Sequence, residues 1–162
     1  MNTTLVALVL LGTGLLSGFR TFTPLALVSW LAVWGWTPLA GSPFWFVGTE
    51  PFAIPVTILA VLELIGDKLP KTPARTHLMP VGRVVAGGLT GGALGFAAGW
   101  IWIGGVLLGG SAAVVGAFVG YHLRRIGART LHLPDLIVGL IEDFITIAGT
   151  LFLVRDFFHT AV

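Results

Sequence analysis

Six ionisable residues stand in stretches otherwise too apolar to hold them: Arg20, Glu63, Asp67, Arg83, Glu142 and Asp143. Placing an ion in such a segment costs at least ~2.5 to 3.5 kcal/mol on membrane-insertion scales, so residues of this kind are paired, hydrated or functional. Glu63 and Asp67 are four residues apart, a spacing that sets both carboxylates on one face of a helix. Glu142 and Asp143 are neighbours and project about 100° apart, so they are expected to face different spots. Asp143 shares its face with Gly139, Thr146 and Thr150, a stripe that is either a polar packing seam or the wall of a wet cavity. Two arginines against four carboxylates leave an excess of negative charge. Protonation of some carboxyls, a bound cation, or the arginines between residues 122 and 134 would restore the balance.

A second chemistry is carried by Ser17 to Leu25, SGFRTFTPL. The Arg20 guanidinium, the hydroxyls of Thr21 and Thr23 and the free N–H groups of a helix starting at Pro24 together form a site for a phosphate or carboxylate, with Arg83 as a further cation. The opposing reading treats Arg20 as a residue snorkelling to a membrane surface, or as one half of an interhelical tie. Other chemistries find no support. His77, His122, His132 and His159 lack metal-ligand spacing, so no metal and no cofactor are expected. Ser17, Ser29, Ser42 and Ser111 show no nucleophile motif. There is no cysteine, so thiol catalysis and disulfides are excluded. An enzyme is unsupported, and nucleic acid is not an expected partner.

The elements that must position these residues are set by composition. The chain is 56% hydrophobic and only 10% charged, with a mean hydropathy of +0.96. A water-soluble domain is nearer a quarter charged, so an all-α integral membrane protein is predicted, in contact with the lipid bilayer as one domain over residues 1–162. Six transmembrane or re-entrant segments are expected at about residues 4–18, 24–36, 52–65, 83–104, 105–121 and 135–154, with a turn near Gly104 and Gly105 dividing the glycine-rich stretch. The first carries no cleavage site of a signal peptide and is expected to remain as a helix. The first two are short enough to suit a re-entrant pair. Three helices on each side of the basic loop would give inverted halves, 1–76 and 77–162.

Orientation follows from two separate signals. With the Lys68–Arg75 loop cytoplasmic, alternation places Arg20, Arg83, Arg124, Arg125 and Arg129 on the same side and both termini outside. The same alternation gathers Trp30, Trp34, Trp36, Trp45, Trp100 and Trp102 at the opposite interface. Gly87, Gly88, Gly91, Gly92, Gly95 and Gly99 recur at helical spacing, as do Gly105, Gly109, Gly116 and Gly120. Such faces admit a neighbouring backbone, which predicts tight packing of the fourth and fifth helices or a homodimer seam. They follow no strand and bring no phosphate-binding lysine, which excludes a nucleotide loop.

The combination of GFRTFTPLAL at 18–27, ELIGDKLPKTPART at 63–76, the glycine run after Gly82-Arg83, and the late Glu142-Asp143 resembles a family of small bacterial integral membrane proteins, the domain of unknown function 4126 type. The resemblance implies a compact multispanning protein of the bacterial inner membrane and transfers no site residue. Function is therefore expected from the physical reading alone. The leading expectation is a transporter- or permease-like protein that moves or binds a small polar or anionic solute or a lipid headgroup. In it Arg20, Thr21, Thr23 and Arg83 contact the ligand, and Glu63, Asp67, Glu142 and Asp143 supply coupling or ion pairs. The alternative is a structural or regulatory protein whose buried charges are interhelical ties. A membrane enzyme acting on a lipid phosphate stands behind both.

Overall fold

The computed structural model describes residues 2–68, 79–129 and 134–159, all of it helix and connecting turn. Six α-helices follow one another: α1 Thr3–Phe19, α2 Thr23–Val33, α3 Glu50–Gly66, α4 Met79–Ala97, α5 Trp102–Arg129 and α6 Asp135–His159. A short 3-10 helix, Trp45–Gly48, lies between α2 and α3. Lys71, Arg75, His77 and His132 fall outside the described residues.

Local chemistry explains most of the boundaries. The Asn2 side chain accepts from the Thr4 N–H at 3.0 Å and caps α1. Pro24 occupies the first turn of α2, where its missing N–H costs nothing. Two helices end in the same glycine motif. At the end of α2 the Trp36 N–H donates to the Leu31 carbonyl and the Gly35 N–H to that of Ala32, with Gly35 at φ +80°. At the end of α4 the Trp100 N–H donates to Gly95 and the Gly99 N–H to Phe96, with Gly99 at φ +66°. Only glycine takes this left-handed position without strain.

Two predicted boundaries are corrected. The turn between the fourth and fifth helices is at residues 98–101 rather than at Gly104 and Gly105, which lie inside α5. Glycine weakens a helix in water, but Gly105 packs against Gly91 of α4 and lets the two backbones touch, while Gly104 lies against the Trp100 ring. The fifth helix also continues past Tyr121 to Arg129, so Arg124 and Arg125 are helical and not in a loop.

The helices alternate in direction. The ends of α1, α3 and α5 and the starts of α2, α4 and α6 come together at one pole, and the aromatic residues of the 34–49 connection and the start of α5 mark the other. There Trp30 and Trp34 have ring centres 5.9 Å apart, and Phe44 meets Trp102 edge to face at 5.8 Å. The 34–49 connection is anchored in the core by buried Leu39, Phe44 and Val47, while Trp34, Trp36 and Trp45 stand exposed on it.

Helix α1 packs against α4, α5 and α6, and the seam between α4 and α5 is a glycine seam. A Cβ on Gly87 would sit 2.6 Å from the Gly109 carbonyl, and one on Gly91 would strike that of Gly105. The later glycines of α5 serve a different partner: Gly116 lies against Leu15 of α1, and Gly18 of α1 lies against Ala113 and Ala117. The glycine faces are thus occupied within the chain. The three-helix halves do not pack alike, because α4 and α5 meet along their length while α1 and α2 touch little beyond their corner.

The distribution of polarity is inverted relative to a water-soluble bundle. Phe144 is 72% exposed and Leu107, Phe118 and Phe152 are similarly open, whereas Thr13, Ser17, Ser29, Thr90, Thr146 and Thr150 are fully buried. Residues 102–127 and 136–155 are long and apolar enough to cross a membrane, and α1, α2 and 81–97 are shorter apolar helices.

Candidate functional site

Five charges of alternating sign run through the polar pole, Lys68, Asp143, Arg20, Asp67 and Arg124 in that order of contact. Arg20 leaves the end of α1 in extended conformation, which turns its side chain back into the bundle, and only 1% of it is exposed. Its Nη1 pairs with Asp67 Oδ2, at the C-terminal cap of α3. Its Nη2 lies 2.6 Å from Asp143 Oδ1 on α6, and it also donates to the Gly139 carbonyl at 3.3 Å. The chain is closed at both ends by cations nearer the surface. Lys68 Nζ donates to Asp143 Oδ2 at 2.7 Å, and Arg124 Nη1 on α5 donates to Asp67 Oδ2 at 3.3 Å. Lys68 is the more open of the two at 27%.

Glu63 does something different. Its Oε1 accepts from the Thr21 N–H at 2.8 Å and its Oε2 from the Phe22 N–H at 3.0 Å. These are amides at the corner where α2 begins, so the carboxylate supplies the negative charge that a helix N-terminus favours. The predicted anion site at Arg20, Thr21 and Thr23 is therefore filled by the protein's own groups: Glu63 takes the amides, and Asp67 and Asp143 take the guanidinium. Thr21 contributes its backbone rather than its hydroxyl, and the Thr23 hydroxyl is buried.

The one-face expectation for Glu63 and Asp67 agrees with the geometry, for both reach the α1–α2 corner from α3. The expectation that Glu142 and Asp143 face different spots is corrected. Both are 7% exposed, and Glu142 Oε2 stands 3.8 Å from the same Arg20 Nη2 that meets Asp143. Arg20 lies between their directions, and the longer glutamate bends toward it. Arg83 is also buried, 7% exposed, and lines a cleft of about 220 Å³ with Ala113, Val114, Ala117, Phe118 and Tyr121.

Lys68 joins the site from the end of α3 without a signal in the sequence, whereas Arg124 is one of the arginines between 122 and 134 that could balance the charge. Carrying the helical period of α5 past Tyr121 would have put Arg124 on the bundle. Gly139 was visible only as part of a stripe. A Cβ there would lie 3.3 Å from Arg124 Nη2, a tight contact, and 3.8 Å from Arg20 Nη2, an ordinary one, so glycine eases the approach of Arg124 to α6. Among the described residues no group of three or more histidine, cysteine or acidic side chains could hold a metal ion.

No curated protein and no solved structure matches the chain. The model of one family, described as a domain of unknown function (DUF4126), matches residues 7–155.

Proposed function

The chain belongs to the DUF4126 family, and we propose that it is a multispanning protein of the bacterial inner membrane whose charged pole is an interhelical lock on the cytoplasmic side. The membrane reading is supported by the apolar exterior, by the two long apolar helices, and by the separation of cations from tryptophans to opposite poles. Helix α2 is about 16 Å long at ~1.5 Å per residue, and the 34–49 connection, anchored by buried Leu39, Phe44 and Val47, completes its passage. Both termini then lie outside.

The observation that carries the lock is the five-charge chain itself. It joins the α1–α2 corner to α3, α5 and α6 through one fully buried guanidinium. In an apolar surrounding each of these charges needs its partner, so the four elements are held in one register or released together. A lock of this kind suits a structural or regulatory protein.

A second reading makes the same pole the gate of a permease-like path for a small polar or anionic solute or lipid headgroup, with Glu63, Asp67, Glu142 and Asp143 as coupling groups. It is favoured by four hydroxyls, those of Thr23, Ser29, Thr37 and Thr150, which are buried without a hydrogen-bond partner among the described residues. Orphaned buried hydroxyls mark places where water or an ion can sit.

One substitution separates the two. Under the lock, Arg20→Gln leaves the buried carboxylates of Asp67 and Asp143 with only the more exposed Arg124 and Lys68 as cation partners, at a cost of about 3 kcal/mol, and the variant accumulates poorly or melts early. Adding Asp67→Asn and Asp143→Asn restores much of that loss. Under the gate, Arg20→Gln leaves a stable protein that has lost solute flux in proteoliposomes. An Arg20→Gln protein as stable as the parent would sink the lock.

A further inference from the structure

We propose that α3 is a lever: its end at the charged pole swings away from α1, α5 and α6 about a pivot at Thr57, uncovering Arg20 to the cytoplasmic side, while the other helices keep their packing. The lever rests on the lock reading above and is the part that moves when the lock opens.

Helix α3 is attached to the bundle in two different ways along its length. Toward the aromatic pole it packs: Ala53 and Val56 are buried, Phe52 meets Phe46 with ring centres 5.2 Å apart, and Trp30 Nε1 donates to the Thr57 hydroxyl at 2.8 Å. Beyond Thr57 only Ala60 is buried, and a methyl gives up little apolar area. Val61, Leu62 and Ile65 are exposed, and a Cβ on Gly66 would meet nothing within 4 Å. Among the described residues the backbone of α3 runs beside α2 and the 3-10 helix, with no more than isolated contacts to any other helix. Its end at the charged pole is therefore held by charge: Glu63 on the Thr21 and Phe22 amides, Asp67 on Arg20 and Arg124, and Lys68 on Asp143.

The helices around it have no such freedom. Helices α4 and α5 meet backbone to backbone through Gly87, Gly91, Gly105 and Gly109, α1 meets α5 at Gly18 and Gly116, and α6 meets α1 where Gly12 faces Leu153 and Gly149 faces Leu16. Pro55 sits beside the pivot and deletes one backbone hydrogen bond of α3, which is where a helix bends. From Thr57 to Lys68 the lever is about 16 Å long, so a tilt of about 15° carries its tip about 4 Å, enough to part Lys68 from Asp143 and Asp67 from Arg20. Little is stranded by that step. Arg20 keeps Asp143 and Glu142 on α6, the Arg124 side chain is 19% exposed at the pole, and Glu63, Asp67 and Lys68 move outward toward water.

The chain has no cysteine, so pairs of introduced cysteines carry spin labels without background, and double electron-electron resonance on the full-length protein in liposomes reads the distances between them. Leu62→Cys with Phe144→Cys spans the tip of α3 and α6, Ile54→Cys with Phe144→Cys spans the packed end, and Phe118→Cys with Phe144→Cys stays within the body, all at exposed positions. Asp67→Asn with Lys68→Gln removes two ties of opposite charge. In this double variant the Leu62 pair is expected to lengthen or broaden by about 4 Å, the travel of the tip, with the other two pairs unchanged. A Leu62 distance identical to the parent's, or an equal change in all three pairs, would overturn the lever. If the double variant does not accumulate, hydrogen exchange of the parent decides: amides 61–66 are expected to exchange about tenfold faster than amides 14–19, which end α1 at the same pole, and equal protection refutes the lever. The lock is read separately, from stability. Early melting with an unmoved tip keeps the lock and refutes the lever, whereas a moved tip at parental stability keeps the lever and refutes the lock.

Discussion

Glu63 shows how one residue can settle a site in an unexpected way. Its carboxylate stands where an external anion was predicted, and it satisfies two amides of the α1–α2 corner at once. Glu63→Gln keeps the shape but offers only one acceptor oxygen, so either Thr21 or Phe22 keeps an unpaired N–H. We expect a loss of about 1 to 3 kcal/mol, measurable as a lowered thermal midpoint in detergent, and unchanged stability would show that water serves the corner equally well. Arg20 is the opposite case. Its importance was legible from a lone arginine in an apolar stretch, whereas its partners were not, because Asp67 and Asp143 lie 47 and 123 positions further along the chain.

At the scale of elements, the glycine seams carry most of the specificity of packing. The spacing of Gly87, Gly91, Gly105 and Gly109 predicted close approach of the fourth and fifth helices, and the structure shows it. Gly116 and Gly18 were not recognised as a pair, since periodicity reveals that a helix has a bare face without naming what covers it. Gly109→Ala would drive a methyl into the Gly87 carbonyl and to 3.0 Å from Gly91 Cα. Backbone cannot step aside as a side chain can, so a loss of about 1 to 3 kcal/mol is expected. The neighbouring Gly110→Ala meets nothing nearer than 3.4 Å and should be neutral or gain up to about 1 kcal/mol of helix propensity. Comparing the two by thermal unfolding tests the seam directly, and equal effects would refute it.

The whole molecule has its polarity turned outside in, with the buried ion-pair chain at one pole and the tryptophans at the other. Because the chain has no cysteine, single cysteines can report sidedness without background. Glu50→Cys, exposed near the aromatic pole, should react with an impermeant thiol reagent in intact cells. Arg125→Cys, exposed at the charged pole, should react only after permeabilisation. The reverse pattern would invert the proposed orientation.

Hydropathy and helix-start chemistry are local, so six helices, the start of the second at Pro24 and the grouping of most cations at one pole could be read from the order of residues. What tertiary structure decided is which groups meet. The last turns of α5 are held by Arg124 on Asp67 and Gly127 against Val138, the role of Gly105 depends on having α4 to touch, and Arg83 acquires its cleft only where α4 begins beside a longer α5. The neutrality of the cluster was decided there too: Lys68 and Arg124 complete it from opposite sides, brought together by a fold in which every buried charge needs a partner that the sequence places far away.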